Sequence, residues 1–252
     1  MQIVGYDTAA GDGPAALVIA DGGAIERFPL RSGNELTFAL ETRHCAGTVD
    51  NGTHRSCPRS EAPYCDRHAS RWPCARCTGD CAMPVEACHE EHAVYLAAFA
   101  PETVKVGVTR TWRLETRLRE QGADRAAHVR TVKNGRIARQ LESDLAERFP
   151  DRIRVPEKIA SLHESVEPER WVEVLEEFDP IQTFDFSYGL SLSSRPVSET
   201  IASGTVAGTK GRVLVLERSG TTYAVDLRDL VGYDVSRAQP SRRLQSSFGS
   251  FA

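Results

Sequence analysis

Cysteine and histidine are concentrated in one part of the sequence. All seven cysteines fall between Cys45 and Cys88, and five of the seven histidines lie in or beside that stretch. In a reducing compartment such clustering indicates metal ligation rather than disulfides. Two pairs, Cys65 with His68 and Cys74 with Cys77, have the two-residue separation that lets one tight turn present two ligands to a zinc ion.

Eight ligands are enough for two closed four-ligand sites, so we expect about two zinc ions per chain. The predicted ligands are Cys45, Cys57, Cys65, His68, Cys74, Cys77, Cys81 and Cys88. His44, His89 or His92 could replace one of them, and spacing alone does not fix the pairing. Free structural cysteines, or an iron-sulfur cluster on Cys74, Cys77 and Cys81, are the alternatives. Because closed sites leave no position for substrate, the metal is expected to support folding.

The middle of the chain is basic. Ten Lys or Arg residues stand against three acids between Lys105 and Arg139, whereas acids concentrate between Asp144 and Asp185. This gradient favours a surface that faces a polyanion, with solvated helices as the alternative. The candidate nucleic-acid contacts are Arg110, Arg113, Arg119 and Arg136.

The elements that must position these residues follow from hydrophobic periodicity and turn signals. The chain has 252 residues, is 40% hydrophobic and carries a net charge of -4. No window approaches the roughly 18 apolar residues of a membrane span, so we expect no membrane role. The N-terminus lacks the pattern of a secretory signal, which predicts a cytoplasmic protein.

Strands are predicted at residues 2–6, 15–20, 36–40, 93–99, 104–108, 128–133, 212–217, 222–226 and 230–235, and helices at 113–121, 136–149, 156–162 and 169–178.

Four short segments in the middle of the chain carry a resemblance to a known family. They are Val94-Tyr95-Leu96, then Lys105 to Thr109, then Arg117-Leu118, and Ala138 to Glu142. In strand-strand-helix-strand-helix order, they resemble the GIY-YIG nuclease superfamily. The resemblance covers about Ala93 to Phe149.

The resemblance implies phosphodiester hydrolysis with Mg²⁺ or Mn²⁺ bound to Glu142. It also places Tyr95 at the family's first tyrosine, Gly107 at its motif glycine and Arg117 near its phosphate-contacting arginine. Lys105 replaces the second tyrosine, and it would deprotonate water only if burial lowered its pKa. Each residue also has a simpler interpretation: Tyr95 as a packing residue, and Arg117 and Glu142 as solvated surface charges.

The wider sequence looks closest to an uncharacterised family in which a Cys-rich segment precedes such a module and a Gly-Thr-Lys-Gly-Arg segment, here Gly208 to Arg212, follows it. The predicted fold class is therefore α+β, with a small GIY-YIG-like α/β module inserted between β-rich segments and a Cys-rich zinc-binding segment. The expected divisions are 1–43 (β), 44–92 (zinc), 93–155 (module), 156–182 (helical connector), 183–236 (β) and 237–252 (flexible tail).

The tail combines low hydrophobicity with two aromatic residues. Gln245, Phe248 and Phe251 are three residues apart, so they share one face of a tight helical turn. This spacing resembles the sliding-clamp (PCNA) interacting peptide, although Phe248 stands where Leu or Ile is common and Ala252 where a second aromatic is common. Alternatively, the tail covers a groove of its own protein.

Together these features predict a nucleic-acid-processing or DNA repair factor. In this hypothesis a metal-dependent endonuclease is tethered to the sliding clamp, which raises its concentration at DNA. The rival hypothesis is a non-catalytic zinc adaptor that binds DNA or RNA through its basic helices.

Overall fold

The computed structural model describes residues 1–10, 13–69 and 89–237. The chain divides into two compact units, Met1–Ser70 with Tyr188–Ala252, and Arg71–Ser187. The first unit is therefore built from both ends of the chain, and the second is one continuous stretch between them.

Strands dominate the described residues. They are β1 (Gln2–Asp7), β2 (Ala16–Asp21), β3 (Ala24–Pro29), β4 (Glu35–Arg43), β5 (Thr48–Asp50), β6 (Thr53–Arg55), β7 (His92–Phe99), β8 (Thr103–Arg110), β9 (Arg125–Val132), β10 (Gln182–Asp185), β11 (Val197–Ser198), β12 (Ala202–Lys210), β13 (Val213–Arg218), β14 (Thr221–Asp226) and β15 (Tyr233–Arg237). The helices are α1 (Leu114–Gln121), α2 (Gly135–Leu145), α3 (Val155–Ala160), α4 (Pro168–Phe178) and α5 (Leu227–Leu230).

The first unit is an eleven-stranded sheet in the order β11-β14-β13-β12-β4-β15-β1-β2-β3-β6-β5. Strand β4 joins the two ends of the chain, because Phe38 pairs with Ala202 of β12 on one side and with Arg237 of β15 on the other. Helix α5 contacts both β14 and β1, which are far apart in this order, so the sheet must curve. One apolar core, which includes Ile3, Leu17 and Leu214, lies inside the curve.

The second unit contains a four-stranded antiparallel sheet in the order β10-β9-β7-β8. Alternate residues of β7 point to opposite faces. Tyr95 packs on the face covered by α1, with Leu114 and Leu118. Val94 and Leu96 pack on the other face, with Ala138 of α2 and Trp171 of α4.

The predicted fold class, α+β with a small GIY-YIG-like module between β-rich segments, is wrong. The residues that the structure describes are mostly β, with 41% strand, 20% helix and large sheets. The error arose because several strands were not predicted, among them β3, β10 and β12. In β12, glycines interrupt the apolar alternation: Gly204 has φ +134°, and a Cβ there would lie 2.7 Å from the Glu217 carbonyl oxygen.

Most of the predicted elements of the central stretch are present, with shifted ends. Helix α1 ends at Gly122, whose φ of 69° is the left-handed helix cap that the sequence indicates. The Asn134-Gly135 pair lies between β9 and α2. The Asn134 side chain accepts a hydrogen bond from the Ile137 amide and so caps the start of α2. Residues 227–230, next to the predicted strand 230–235, form helix α5.

No helix in the described ranges combines the length and the apolar character needed to cross a bilayer.

Candidate metal centre and buried polar cluster

Four predicted metal ligands meet in the first unit. Cys45 follows β4, Cys57 follows β6, and Cys65 and His68 lie on one turn closed by hydrogen bonds to the Cys65 carbonyl. Their ligand atoms all lie within 4.8 Å of one another. The Nδ1 atom of His68 is 3.3 Å from the Sγ atoms of both Cys45 and Cys65, and the Sγ atoms of Cys57 and Cys65 are 4.0 Å apart.

These distances fit a tetrahedral ion. Zinc bonds of about 2.3 Å to sulfur and about 2.0 Å to nitrogen place neighbouring ligands about 3.5–3.8 Å apart. The three cysteines are buried and free of disulfides, and they form a core cluster that contains no other buried hydrophobic residue among those described. This Cys3His cluster is compatible with a zinc site.

Backbone geometry positions the sulfur atoms. The Gly47 amide lies 3.5 Å, and the Cys65 amide 3.3 Å, from the Cys45 Sγ, so both can donate to a thiolate. Gly47 has φ +65°, and a Cβ there would lie 2.0 Å from the Arg55 carbonyl oxygen, so only glycine fits this turn. Burial raises the pKa of the Cys45 thiol. Burial acts the same way at Cys65, but hydrogen bonds from the Arg67 and His68 amides and its sulfur neighbours lower the pKa overall.

The other predicted ligands do not join this cluster. His44 contacts Asp234 and the Cys57 carbonyl instead, with ring nitrogens 3.0 Å from each partner. His92 contacts the Glu90 carbonyl, and His89 is exposed. The remaining predicted ligands lie outside the described residues: Cys74, Cys77, Cys81 and Cys88. A second ion therefore stays a prediction.

The second unit brings together the four residues predicted to be catalytic. Tyr95 lies on β7, Lys105 on β8, Arg117 on α1 and Glu142 on α2. Arg117 lies close enough to Tyr95 to influence its pKa, and the charges of Arg117 and Glu142 act on both Tyr95 and Lys105. Three of the four are largely covered, since Tyr95 is 1% and Lys105 7% exposed and the Glu142 side chain is 14% exposed.

Tyr95 is held against Gly107, its partner across the β7–β8 pair. A Cβ at Gly107 would lie 2.5 Å from both the Cζ and the Oη of Tyr95, so a glycine is required for the ring to lie there. Gln121 donates a hydrogen bond of 2.6 Å to the phenol oxygen. Burial raises the pKa of Tyr95, and the phenol therefore keeps its proton near neutral pH.

Lys105 is the buried cation of this cluster. Its Nζ donates to the Asp151 carbonyl at 2.8 Å. Burial, reinforced by Arg117, lowers the pKa of Lys105 from 10.5 to about 8, although Glu142 and Asp151 act in the opposite direction. Arg139, one helical turn before Glu142, forms an ion pair with its carboxylate and also disfavours the charged lysine.

Arg117 links the cluster to the surface. Its Nη1 donates to Glu120 at 3.1 Å, and Arg113 donates to the same carboxylate at 2.8 Å. Burial would lower the pKa of Arg117, but Tyr95 and Glu120 raise it overall, so the guanidinium stays charged.

The predicted nucleic-acid contacts are mostly engaged in ion pairs. Arg110 pairs with Glu90, Arg113 with Glu120 and Arg119 with Glu115. Arg136 is exposed at the start of α2 and has no acidic partner within the part of the chain that the structure describes. Ion pairs between exposed arginine and glutamate side chains contribute little stability, so a phosphate could replace the glutamate as the partner of the arginine.

Sequence reasoning missed Gln121 and Arg139, which touch the predicted residues. A signal for both was present, because Gln121 lies four residues after Arg117, and Arg139 three before Glu142, so each pair shares a helix face. Lys158 was also missed: it donates to the Gln121 carbonyl at 2.7 Å from α3, a contact distant in sequence that no local pattern indicates.

The fold and these clusters define a mostly β protein with a Cys3His cluster compatible with a zinc site and a buried tyrosine-lysine-arginine-glutamate cluster. Residues 33–235 match the family described as "Protein of unknown function (DUF2797)", and the chain belongs to that family. No curated protein and no solved structure gives a match.

Replacement of a single zinc ligand tests the metal centre. We expect Cys65→Ala to lose about one zinc equivalent per chain, and to melt at a lower temperature, because a structural site needs all four ligands. Elemental analysis and thermal unfolding measure the two effects. His54→Ala is the control, since His54 bonds to the nearby Ala46 carbonyl but is not one of the four. Equal zinc content in wild type and Cys65→Ala would refute the site.

The contact between Gly107 and Tyr95 predicts a costly alanine substitution. Gly107→Ala should lower the free energy of unfolding by about 1–3 kcal/mol or more, because the ring has to move away from the new methyl group. Chemical denaturation measures this change. Gly5→Ala is the matched control, since a Cβ at this strand glycine meets only Val18 at an ordinary 3.7 Å. Equal stability of the two variants would contradict the close approach.

Because the pKa of Lys105 is lowered, its replacement should increase the stability of the protein by an amount that depends on pH. Below about pH 8 the folded protein bears the full cost of a buried charge, so Lys105→Met should be more stable than wild type by about 1–3 kcal/mol. Between about 8 and 10.5 the unfolded chain still binds the proton that the folded lysine has lost. Wild-type stability therefore rises relative to the variant as pH increases through this window.

Denaturant titrations at about pH 7 and about pH 10 compare the two proteins. Lys133→Met, at an exposed lysine, is the control and should show no such trend. A stability difference for Lys105→Met that is the same at both pH values would show that the lysine keeps its ordinary pKa.

Proposed function

We propose that this protein processes nucleic acids, and that Tyr95, Lys105, Arg117 and Glu142 cleave phosphodiester bonds with a divalent ion on Glu142. The observation that supports this most is the meeting of these four side chains, which come from four separate elements. The resemblance to GIY-YIG nucleases implies a distinct chemical role for each of them. Charged side chains lose hydration when they pack around a buried tyrosine, so this arrangement is more easily explained by a function than by surface charges alone.

The charge balance of the cluster suits a phosphodiester. Lys105, Arg117 and Arg139 contribute three cations to the cluster, in which Glu142 pairs with Arg139 and acts on Lys105. A phosphodiester is an anion, and further negative charge develops on its oxygens as the nucleophile attacks. Preorganised cations in a partly buried site stabilise that charge more effectively than water does. Arg117 is best placed for this role, since its side chain is 46% exposed while it also contacts Tyr95.

The residues present fit a magnesium or manganese ion bound together with substrate. Such ions are commonly held by one or two carboxylates plus substrate phosphate and water. Glu142 supplies one carboxylate, which Arg139 must release. When bound, the ion would act as a Lewis acid that polarises the phosphate.

Tyr95 and Lys105 control protons and substrate orientation. The phenol oxygen accepts a hydrogen bond from Gln121, which leaves its own proton available for donation to a water or to a phosphate oxygen. Lys105, with a pKa of about 8, exists in both forms at mildly alkaline pH. Its charged form binds phosphate, and its neutral form accepts a proton from the attacking water.

A cleavage assay tests the proposal. Purified protein is incubated with branched, nicked and single-stranded DNA, and with RNA, in Mg²⁺ or Mn²⁺. We expect cleavage by wild type and a loss of at least about 100-fold in rate for Glu142→Gln, because the ion loses its protein carboxylate. Glu147→Gln, at an exposed glutamate just beyond α2, is the matched control and should retain the wild-type rate.

Thermal unfolding of each variant shows whether it is folded. Cleavage that is unchanged in folded Glu142→Gln would refute the catalytic assignment. Nucleic-acid binding without any cleavage would support the second candidate, a non-catalytic zinc protein that binds DNA or RNA. That candidate is favoured by one observation: the Glu142 carboxylate is already paired with Arg139.

Attachment to a sliding clamp, and with it a role in DNA repair, stays a prediction. Its three motif residues lie outside the described residues: Gln245, Phe248 and Phe251.

A further inference from the structure

Trp112 is the most exposed of the large apolar side chains that the structure describes, at 70%. It lies in the short 3-10 turn Thr111–Arg113, between the end of β8 and the start of α1. An indole has a large apolar surface, so its exposure to water is unfavourable unless a partner covers it.

The indole is nevertheless held in place. Its Nε1 donates to Glu90 Oε2 at 2.9 Å, and Arg110 pairs with the same oxygen at 3.3 Å. The guanidinium carbon of Arg113 lies 5.9 Å from the ring centroid. An exposed aromatic ring that is fixed at one edge loses little entropy when a flat partner stacks on it.

Short contacts connect Trp112 to the cluster of Tyr95, Lys105, Arg117 and Glu142. Arg113, beside the ring, shares the Glu120 carboxylate with Arg117, and Arg117 lies near Tyr95. A phosphate bound at Arg117 would therefore lie near the guanidinium of Arg113, and a base attached to the same strand would be within reach of the ring of Trp112.

The surroundings of the ring favour one kind of partner. The side chains that contact the indole or share its hydrogen-bonded carboxylate are charged: Glu90, Arg110 and Arg113. An aromatic ring among guanidinium groups is suited to single-stranded nucleic acid, whose bases stack on the ring while its phosphates contact the arginines. A paired base in a duplex is already stacked and does not present its face to the protein.

We propose that Trp112 stacks on an unpaired base of a single-stranded nucleic acid whose backbone runs past Arg113 and Arg117. This inference rests on the proposed function in that the ligand is a nucleic acid, but it does not require cleavage.

The test measures binding of the full-length protein to labelled oligothymidylate, oligouridylate and a duplex by fluorescence anisotropy, without divalent ions. Trp112→Ala should weaken binding to single strands by about 5- to 100-fold, the range expected for loss of one stacked base. Trp112→Phe should retain most of the affinity, and binding to the duplex should change much less. The two single strands distinguish DNA from RNA as the ligand.

Val172→Ala is the matched control, because Val172 is another exposed apolar residue, 51% exposed on α4. A second readout is the quenching of tryptophan fluorescence by oligothymidylate, which should be strong in wild type and largely absent in Trp112→Phe. Equal single-strand affinity of wild type and Trp112→Ala would overturn the inference while leaving the cleavage proposal intact. Absence of binding to any nucleic acid in this assay would also overturn the inference, and the cleavage assay with Mg²⁺ or Mn²⁺ tests the catalytic proposal separately. Trp112-dependent binding without cleavage would overturn only the catalytic proposal.

Discussion

The position of the Tyr95 ring against Gly107 is the contact on which the second unit's candidate site depends. The glycine lets the phenol lie against the backbone of β8, where burial keeps it protonated. From there the hydroxyl contacts Gln121 and Arg117 of α1, one helical turn apart. Lys158 then fixes the end of that helix through the Gln121 carbonyl. The orientation of Arg117 thus follows from a packing constraint, and a larger residue at position 107 would displace the whole set.

Lys105 shows that this set is not optimised for stability. A buried lysine whose pKa falls to about 8 opposes folding at neutral pH by about 3 kcal/mol, a sizeable fraction of the stability of an ordinary domain. An apolar side chain would fill the same space without that cost. Strongly perturbed groups of this kind cluster at functional sites, although structural networks also produce them. Glu142 and Arg117 lie nearby, and their charges are those that the proposed phosphate chemistry would use.

Residue type and local spacing were sufficient to predict the four cysteine and histidine side chains that gather in the first unit, because each signal is contained in a few neighbouring residues. Cys65 and His68 are an example, as is the Gly122 helix cap. The large sheet was not predictable in the same way, since the pairing of β4 with β12 and β15 joins segments that are more than a hundred residues apart. Trp112 was missed for another reason: its significance is its exposure, which only the folded chain reveals.

The Cys3His cluster and the strands around it depend on each other. Residues 44–69 contain only the two short strands β5 and β6, and the cluster's buried core consists of cysteines alone among the residues described. Three sulfur atoms and an imidazole release little free energy by hydrophobic burial, so an ion bound to the cluster would supply most of the cohesion there. The segment is also tied to the sheet, because the His44 amide bonds to the Gly232 carbonyl and its ring to Asp234 of β15. Loss of the ion would therefore loosen the sheet at β4 and β15, where the two ends of the chain meet.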